Sequence, residues 1–157
     1  MEQQDINTRI IFRIMYLLKR LTDKWVSNNL SKVSSSDFNV THLPYFMNIG
    51  DNGISNHDLV QLIKVTKQGV SKMIKELESL GLTYTVKSES DARSIMIYLT
   101  DEGKTLFGLL KAETSQLHDE YRKVAGAKNF EITIDTLLKL IDLHEKKEID
   151  SAAENNR

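Results

Sequence analysis

Apolar residues recur at helical spacing over most of the chain, and the period shortens to two in one region only. Residues 5–29 read as a long amphipathic helix. Ile10, Ile11, Ile14, Leu17, Leu18, Leu21 and Trp25 form its stripe, with Arg13, Lys19, Arg20 and Lys24 on other faces. A serine-rich connector is expected over residues 30–39. Thr41 then suits the cap of a second helix through Ile49, with Pro44 near the first turn, where a missing N–H is tolerated. Gly50-Asp51-Asn52-Gly53 predicts a turn.

The stretch over residues 55–100 carries the densest set of local signals. Ser55-x-x-Asp58 is a capping-box-like start, with the acid where the helix dipole favours it. Leu59, Leu62 and Ile63 give a short helix one apolar face. The pattern breaks at Lys64-Val65, and Thr66 is a second N-cap. Val70, Met73, Ile74, Leu77 and Leu80 then mark another helix, which Leu80-Gly81 stops. Two helices joined by a turn of a few residues fit a helix-turn-helix.

The second of these helices has a distinctive polar face. Gln68, Ser71, Lys72 and Lys75 fall at i, i+3, i+4 and i+7, opposite the apolar stripe and with Lys67 beside them. Such side chains read base edges and hold phosphates. Glu76 and Glu78 are expected to face away from phosphate. The competing reading is the solvated face of an ordinary core helix. Beyond it, residues 83–86 and 94–99 are β-prone, with Ile95, Ile97 and Leu99 alternating against Ser94, Met96 and Tyr98. The polar run over residues 87–93 suits the tip of a hairpin, a wing that would carry Arg93 toward a minor groove.

Thr100 suits the cap of a further helix, with Asp101 and Glu102 in its first turn and Leu106, Phe107, Leu110, Leu117 and Tyr121 on its apolar face. A break is expected over residues 124–129. The last helix is expected over about residues 132–147, with Ile134, Leu137, Leu138 and Ile141 on one face, Leu140 and Leu143 to one side, and a frayed tail from Asp150. That stripe is too broad for one partner, and a second copy of the chain would bury it.

Three motifs in this order resemble the MarR family of winged helix-turn-helix transcription regulators. They are TKQGVSKMIKELESLGL at residues 66–82, DARS at 91–94 and LTDEG at 99–103. The family pattern is a serine-bearing recognition helix ending in LxxxGL, a wing with D-x-R-S, and LTxxG opening the next helix. Two departures remove positive charge: Thr83-Tyr84-Thr85 stands where many members carry a basic residue, and Ala92 where many carry a second wing Arg.

The resemblance implies a mainly α fold with a small β-hairpin wing, one MarR-like domain over residues 1–157. Residues 40–100 would be the winged helix-turn-helix, and residues 5–29 and 101–147 helical dimerisation segments. It also implies that Ile54 pairs as a one-residue strand with the wing. The expected partners are double-stranded DNA and a second copy of the chain. Expected DNA contacts are Gln68 on adenine, Lys72 on guanine or phosphate, and Thr66, Lys67, Ser71, Lys75 and Lys87 beside them. Ser55 and Asn56 would touch the backbone, and Arg93 the minor groove, oriented by Asp91. Two-fold symmetry predicts a pseudo-palindromic operator with half-sites about 10 bp apart. Similar proteins take small aromatic or anionic effectors, for which Met15, Trp25, His42, Phe46 and Met47 are candidates, each also readable as plain core.

Composition narrows the alternatives. The chain has 157 residues, a net charge of -1 and no cysteine, which excludes disulfides, thiolate metal sites and thiol redox sensing. Charge is unevenly spread: six basic against five acidic residues over 55–93, nine against twelve from Ser94 onward. No membrane-length apolar run or apolar leader is evident, so a cytoplasmic location is expected. Four scattered histidines and no HExxH or G-x-S-x-G argue against a small helical enzyme. A metal-sensing regulator of the same fold, using His118 with Asp119 or Glu120, is a second alternative, though no metal-ligand spacing is evident. No cofactor is expected.

Overall fold

A computed structural model describes residues 8–34, 37–90 and 94–155. The chain divides into two compact units, Met1–Leu110 and Lys111–Arg157.

In the first unit, helix α1 spans Ile11–Val33. It continues past residue 29, where the serine-rich connector was expected to begin, because Val26, Leu30 and Val33 extend the helical stripe into the core. Leu30 is buried, and Ser34 ends the helix with its N–H on the Leu30 carbonyl at 3.0 Å. A 3₁₀ turn (Val40–His42) and a one-turn helix α2 (Leu43–Phe46) follow. The cap here is Asn39 rather than Thr41: its side-chain oxygen accepts from the Thr41 N–H at 3.0 Å and the Thr41 hydroxyl at 2.6 Å. Thr41 lies two residues further in, inside the 3₁₀ turn, and so cannot cap it. The α-helix ends at Phe46, short of Ile49, because Asn48 and Ile49 bond three residues back, to Tyr45 and Phe46.

Next come β1 (Ile54–Ser55), α3 (Asn56–Ile63), α4 (Lys67–Ser79), β2 (Thr83–Lys87) and β3 (Ile95–Leu99). The sheet is antiparallel with order β1-β3-β2. Two residues of β1 pair instead of one, Ile54 with Ile97 and Ser55 with Met96. In the hairpin Thr83 opposes Leu99 and Tyr84 opposes Tyr98, whose rings stack at 5.5 Å. Phe46, Leu59, Val70, Leu77 and Ile97 are the best-buried side chains, so one core holds the helix-turn-helix against β3.

Helix α5 (Asp101–Ala125) starts at a three-way junction. The Thr100 N–H donates to the Leu82 carbonyl at 3.0 Å. The Thr100 hydroxyl donates to the Gly81 carbonyl at 2.6 Å and accepts from the Gly103 N–H at 3.0 Å. Gly103 sits so close to this turn that a Cβ on it would lie 2.0 Å from the Leu82 oxygen. That is the physical content of LTxxG: the threonine caps the helix, and the glycine lets it lie against the end of α4.

In the second unit, α5 ends at Ala125, and α6 runs Ala127–Asn155. The break is the single residue Gly126, narrower than the six residues expected. The Asn129 side chain bonds the Ala125 carbonyl at 3.0 Å, and Phe130 is buried against His118, Tyr121 and Arg122, so the new helix is anchored at once. It also passes residue 147: the segment expected to fray is helical through Asn155, since nothing from Ala127 on is a glycine or proline and Ala152, Ala153 and Glu154 favour helix. Among the described residues no helix is long and apolar enough to cross a membrane.

Candidate nucleic-acid interface

The Ser55 hydroxyl accepts the Asp58 N–H at 3.0 Å and starts α3. Lys64 closes that helix in the left-handed region, φ 56°, with its N–H on the Val60 carbonyl. Three residues later the chain is helical again, because the Thr66 hydroxyl accepts the Gly69 N–H at 3.1 Å. At the far end of α4, Leu82 N–H bonds the Leu77 carbonyl (3.1 Å) and Gly81 N–H the Glu78 carbonyl (2.9 Å). This pairing is a Schellman motif, and Gly81 supplies its φ of +74°. Both ends of α4 are therefore fixed by local bonds.

Burial of Val70, Ile74 and Leu77 fixes its rotation. The opposite face presents Thr66, Lys67, Gln68, Ser71, Lys72 and Lys75 to solvent. Among the described residues the side chains of Lys67, Gln68, Ser71 and Lys75 have no hydrogen-bond or ion-pair partner. Lys72 has one distant contact, 4.0 Å to a Glu76 oxygen. Uncommitted donors at a helix N-terminus are suited to anions and base edges.

The two glutamates do not share that role. Glu76 turns back toward the core, where its other oxygen lies 3.1 Å from His42 Nε2. Glu78 lies at a groove of about 130 Å³ between α4 and the wing strands, whose walls include Ser71, Ile74, Lys75, Thr85 and Ile95. Asn56 borders the same groove and accepts the Ile95 N–H at 3.3 Å, tying the start of α3 to the wing. Sequence reasoning missed both the Asn56 and the His42 bonds. They span 39 and 34 residues, and no local spacing could signal them.

Lys87 is exposed at the end of β2, where Ser88 N–H closes the hairpin on the Ser94 carbonyl at 2.9 Å. Arg93 and Asp91 lie outside the described residues. Of the effector candidates, His42 and Phe46 are buried together against Phe38, and Met47 packs on the same core. Met15 is half exposed and Trp25 partly buried on α1. In the second unit His118 lies against Phe130 and Asp119 pairs with Arg122. Among the described residues no three His, Asp or Glu side chains converge as a metal site would need.

A model of the MarR family matches residues 36–94, which hold the helix-turn-helix and most of the wing. The HTH-type transcriptional regulator FarR of Neisseria gonorrhoeae is 24% identical over 98 residues, 62% of this chain and 67% of FarR. Over residues 36–94 the chain is thus similar to the MarR family. The likeness is to DNA-binding transcription regulators with a winged helix-turn-helix. Solved structures with the same fold include the following two. The transcriptional regulator SlyA matches with a TM-score of 0.76 and 20% identity, over 87% of this chain and 95% of its own. Streptococcus pneumoniae FabT, in complex with DNA, matches with a TM-score of 0.71 and 19% identity, over 87% and 99%.

Proposed function

We propose that this chain is a MarR-family DNA-binding transcription regulator that works as a homodimeric, ligand-responsive repressor in the cytoplasm. Each subunit would lay α4 into a major groove of a pseudo-palindromic operator. The observation that carries the reading is the exposed N-terminal face of α4, where among the described residues Lys67, Gln68, Ser71 and Lys75 have no side-chain partner and Lys72 has only its 4.0 Å contact to Glu76. Gln68 is set to read adenine and Lys67, Ser71, Lys72 and Lys75 to hold guanine or phosphate. Lys87 and Arg93 would contact DNA from the wing. Ser55 and Asn56 would meet the backbone while serving as cap and as wing tie. The fold shared with FabT, which was solved with DNA bound, supports this docking.

Dimerisation is supported by apolar side chains left in solvent. Phe12 is 76% exposed, and Tyr16 and Leu21 are each 61% exposed on α1. Ile132, Leu138, Ile141 and Leu143 are about half exposed on α6. A monomer rarely leaves so many large apolar groups in water on two helices. Effector binding near Met15, Trp25, His42, Phe46 and Met47 would act through different affinities for DNA-competent and incompetent dimers.

Binding-site selection from random duplex DNA at low salt tests the reading. A recovered two-fold motif with one-turn half-site spacing is the expected result. Failure to enrich any motif, both before and after refolding free of bound small molecules, would refute it.

A further inference from the structure

His42 is a buried polar group that the DNA contacts leave unused. Its ring is 4% exposed and stacks on Phe38, with centroids 5.4 Å apart and planes 19° from parallel. The Asn39 backbone N–H lies 3.1 Å from Nδ1. A backbone N–H can only donate, so Nδ1 accepts, and the hydrogen of the neutral ring sits on Nε2. Nε2 in turn donates to a Glu76 oxygen at 3.1 Å, on the third turn of α4. The second Glu76 oxygen is left 4.0 Å from the Lys72 ammonium, the outer limit of an ion pair.

Glu76 thus has two suitors. One is a buried N–H held in a fixed direction by stacking and by the Asn39 bond. The other is a lysine one helical turn away whose side chain is 77% exposed. Residues four apart on a helix are neighbours, so an unrestrained Glu76 would reach Lys72 readily. We propose that His42 is a positioning residue for DNA binding: it holds the Glu76 carboxylate against the core and so leaves the Lys72 ammonium available to DNA. This role rests on the proposed contact between α4 and DNA. It explains why an acidic residue is tolerated on the reading helix one turn from a basic contact.

The test uses the full chain and a labelled duplex of mixed sequence, titrated across a range of salt. His42→Phe keeps a stacking ring but loses the Nε2 donor. It should weaken binding about threefold to tenfold at low salt and lower the salt slope by about one unit, as for a lost phosphate contact. Adding Glu76→Gln should restore affinity and slope, since an amide cannot neutralise Lys72, while the melting temperature stays at the single variant's value. A double variant as weak as His42→Phe, or a single variant that binds like wild type, would overturn the role. If His42→Phe does not fold, Glu76→Ala provides the second reading. It should bind at least as tightly as wild type, and weaker binding would overturn the proposal. Wild-type protein that retains no duplex at any salt would refute the DNA contact itself and this role with it, and the wild-type titration reports that case separately.

Discussion

Gly103 offers the sharpest test of how the winged unit is assembled. A methyl group there would lie 2.0 Å from the Leu82 carbonyl oxygen, about 1.4 Å inside the 3.4 Å of ordinary contact. The neighbour is backbone, so it cannot rotate away. Relief requires the start of α5 to retreat from the end of α4, which breaks the bond from Thr100 N–H to Leu82 and that from the Thr100 hydroxyl to Gly81. Each is worth about 1 kcal/mol net. Disturbed packing of Leu82, Leu99 and Leu106 adds roughly 1–3 kcal/mol. The better helix propensity of alanine returns about 1 kcal/mol. Gly103→Ala should therefore cost about 2–4 kcal/mol. Gly108 provides the control in the same helix: nothing lies within 4 Å of its would-be Cβ, so Gly108→Ala should stabilise by about 0.5–1 kcal/mol. Urea unfolding followed by circular dichroism, at one protein concentration, reads both as shifts in midpoint at unchanged slope. Equal stability of the two variants would refute the argument.

Three other outcomes are expected. The Thr83 hydroxyl is buried without a hydrogen-bond partner among the described residues, so Thr83→Val should raise stability by up to about 1 kcal/mol in the same urea experiment. A loss of stability would mean the hydroxyl is satisfied. Gln68→Ala should relax preference at one base position by roughly 1–3 kcal/mol in competition binding, whereas uniform weakening across sequences would reassign it to phosphate. Light scattering at micromolar concentration should give twice the chain mass, and Leu138→Lys should lower it. A wild-type monomer would remove the dimer from the proposed function.

Much of the winged region was legible because its signals are local. Ser55 and Thr66 as caps, Leu80-Gly81 as a stop and the alternation around Ile97 each act within a few residues, where backbone geometry dictates residue type. Helix boundaries were less legible. Residues 30–33 and 150–155 look like connector or tail by composition. The first is helical because Leu30 and Val33 find a core, and the second because no breaker interrupts α6 once Phe130 anchors its start. At Asn39, two capable cap residues lay two apart, and only the path of the chain chose between them.

By itself the sequence determined the element types, the family motifs and the polar face of α4, since each is set by spacing along the chain. Only the tertiary structure decided that Asn56 ties to Ile95, that Leu82 meets Gly103, and that His42 takes hold of Glu76. These contacts join residues 21 to 39 apart in sequence, or depend on an approach distance that no residue type encodes. They arise only when several elements share one core, because a buried donor or acceptor then has few partners within reach and must take the one the packing supplies.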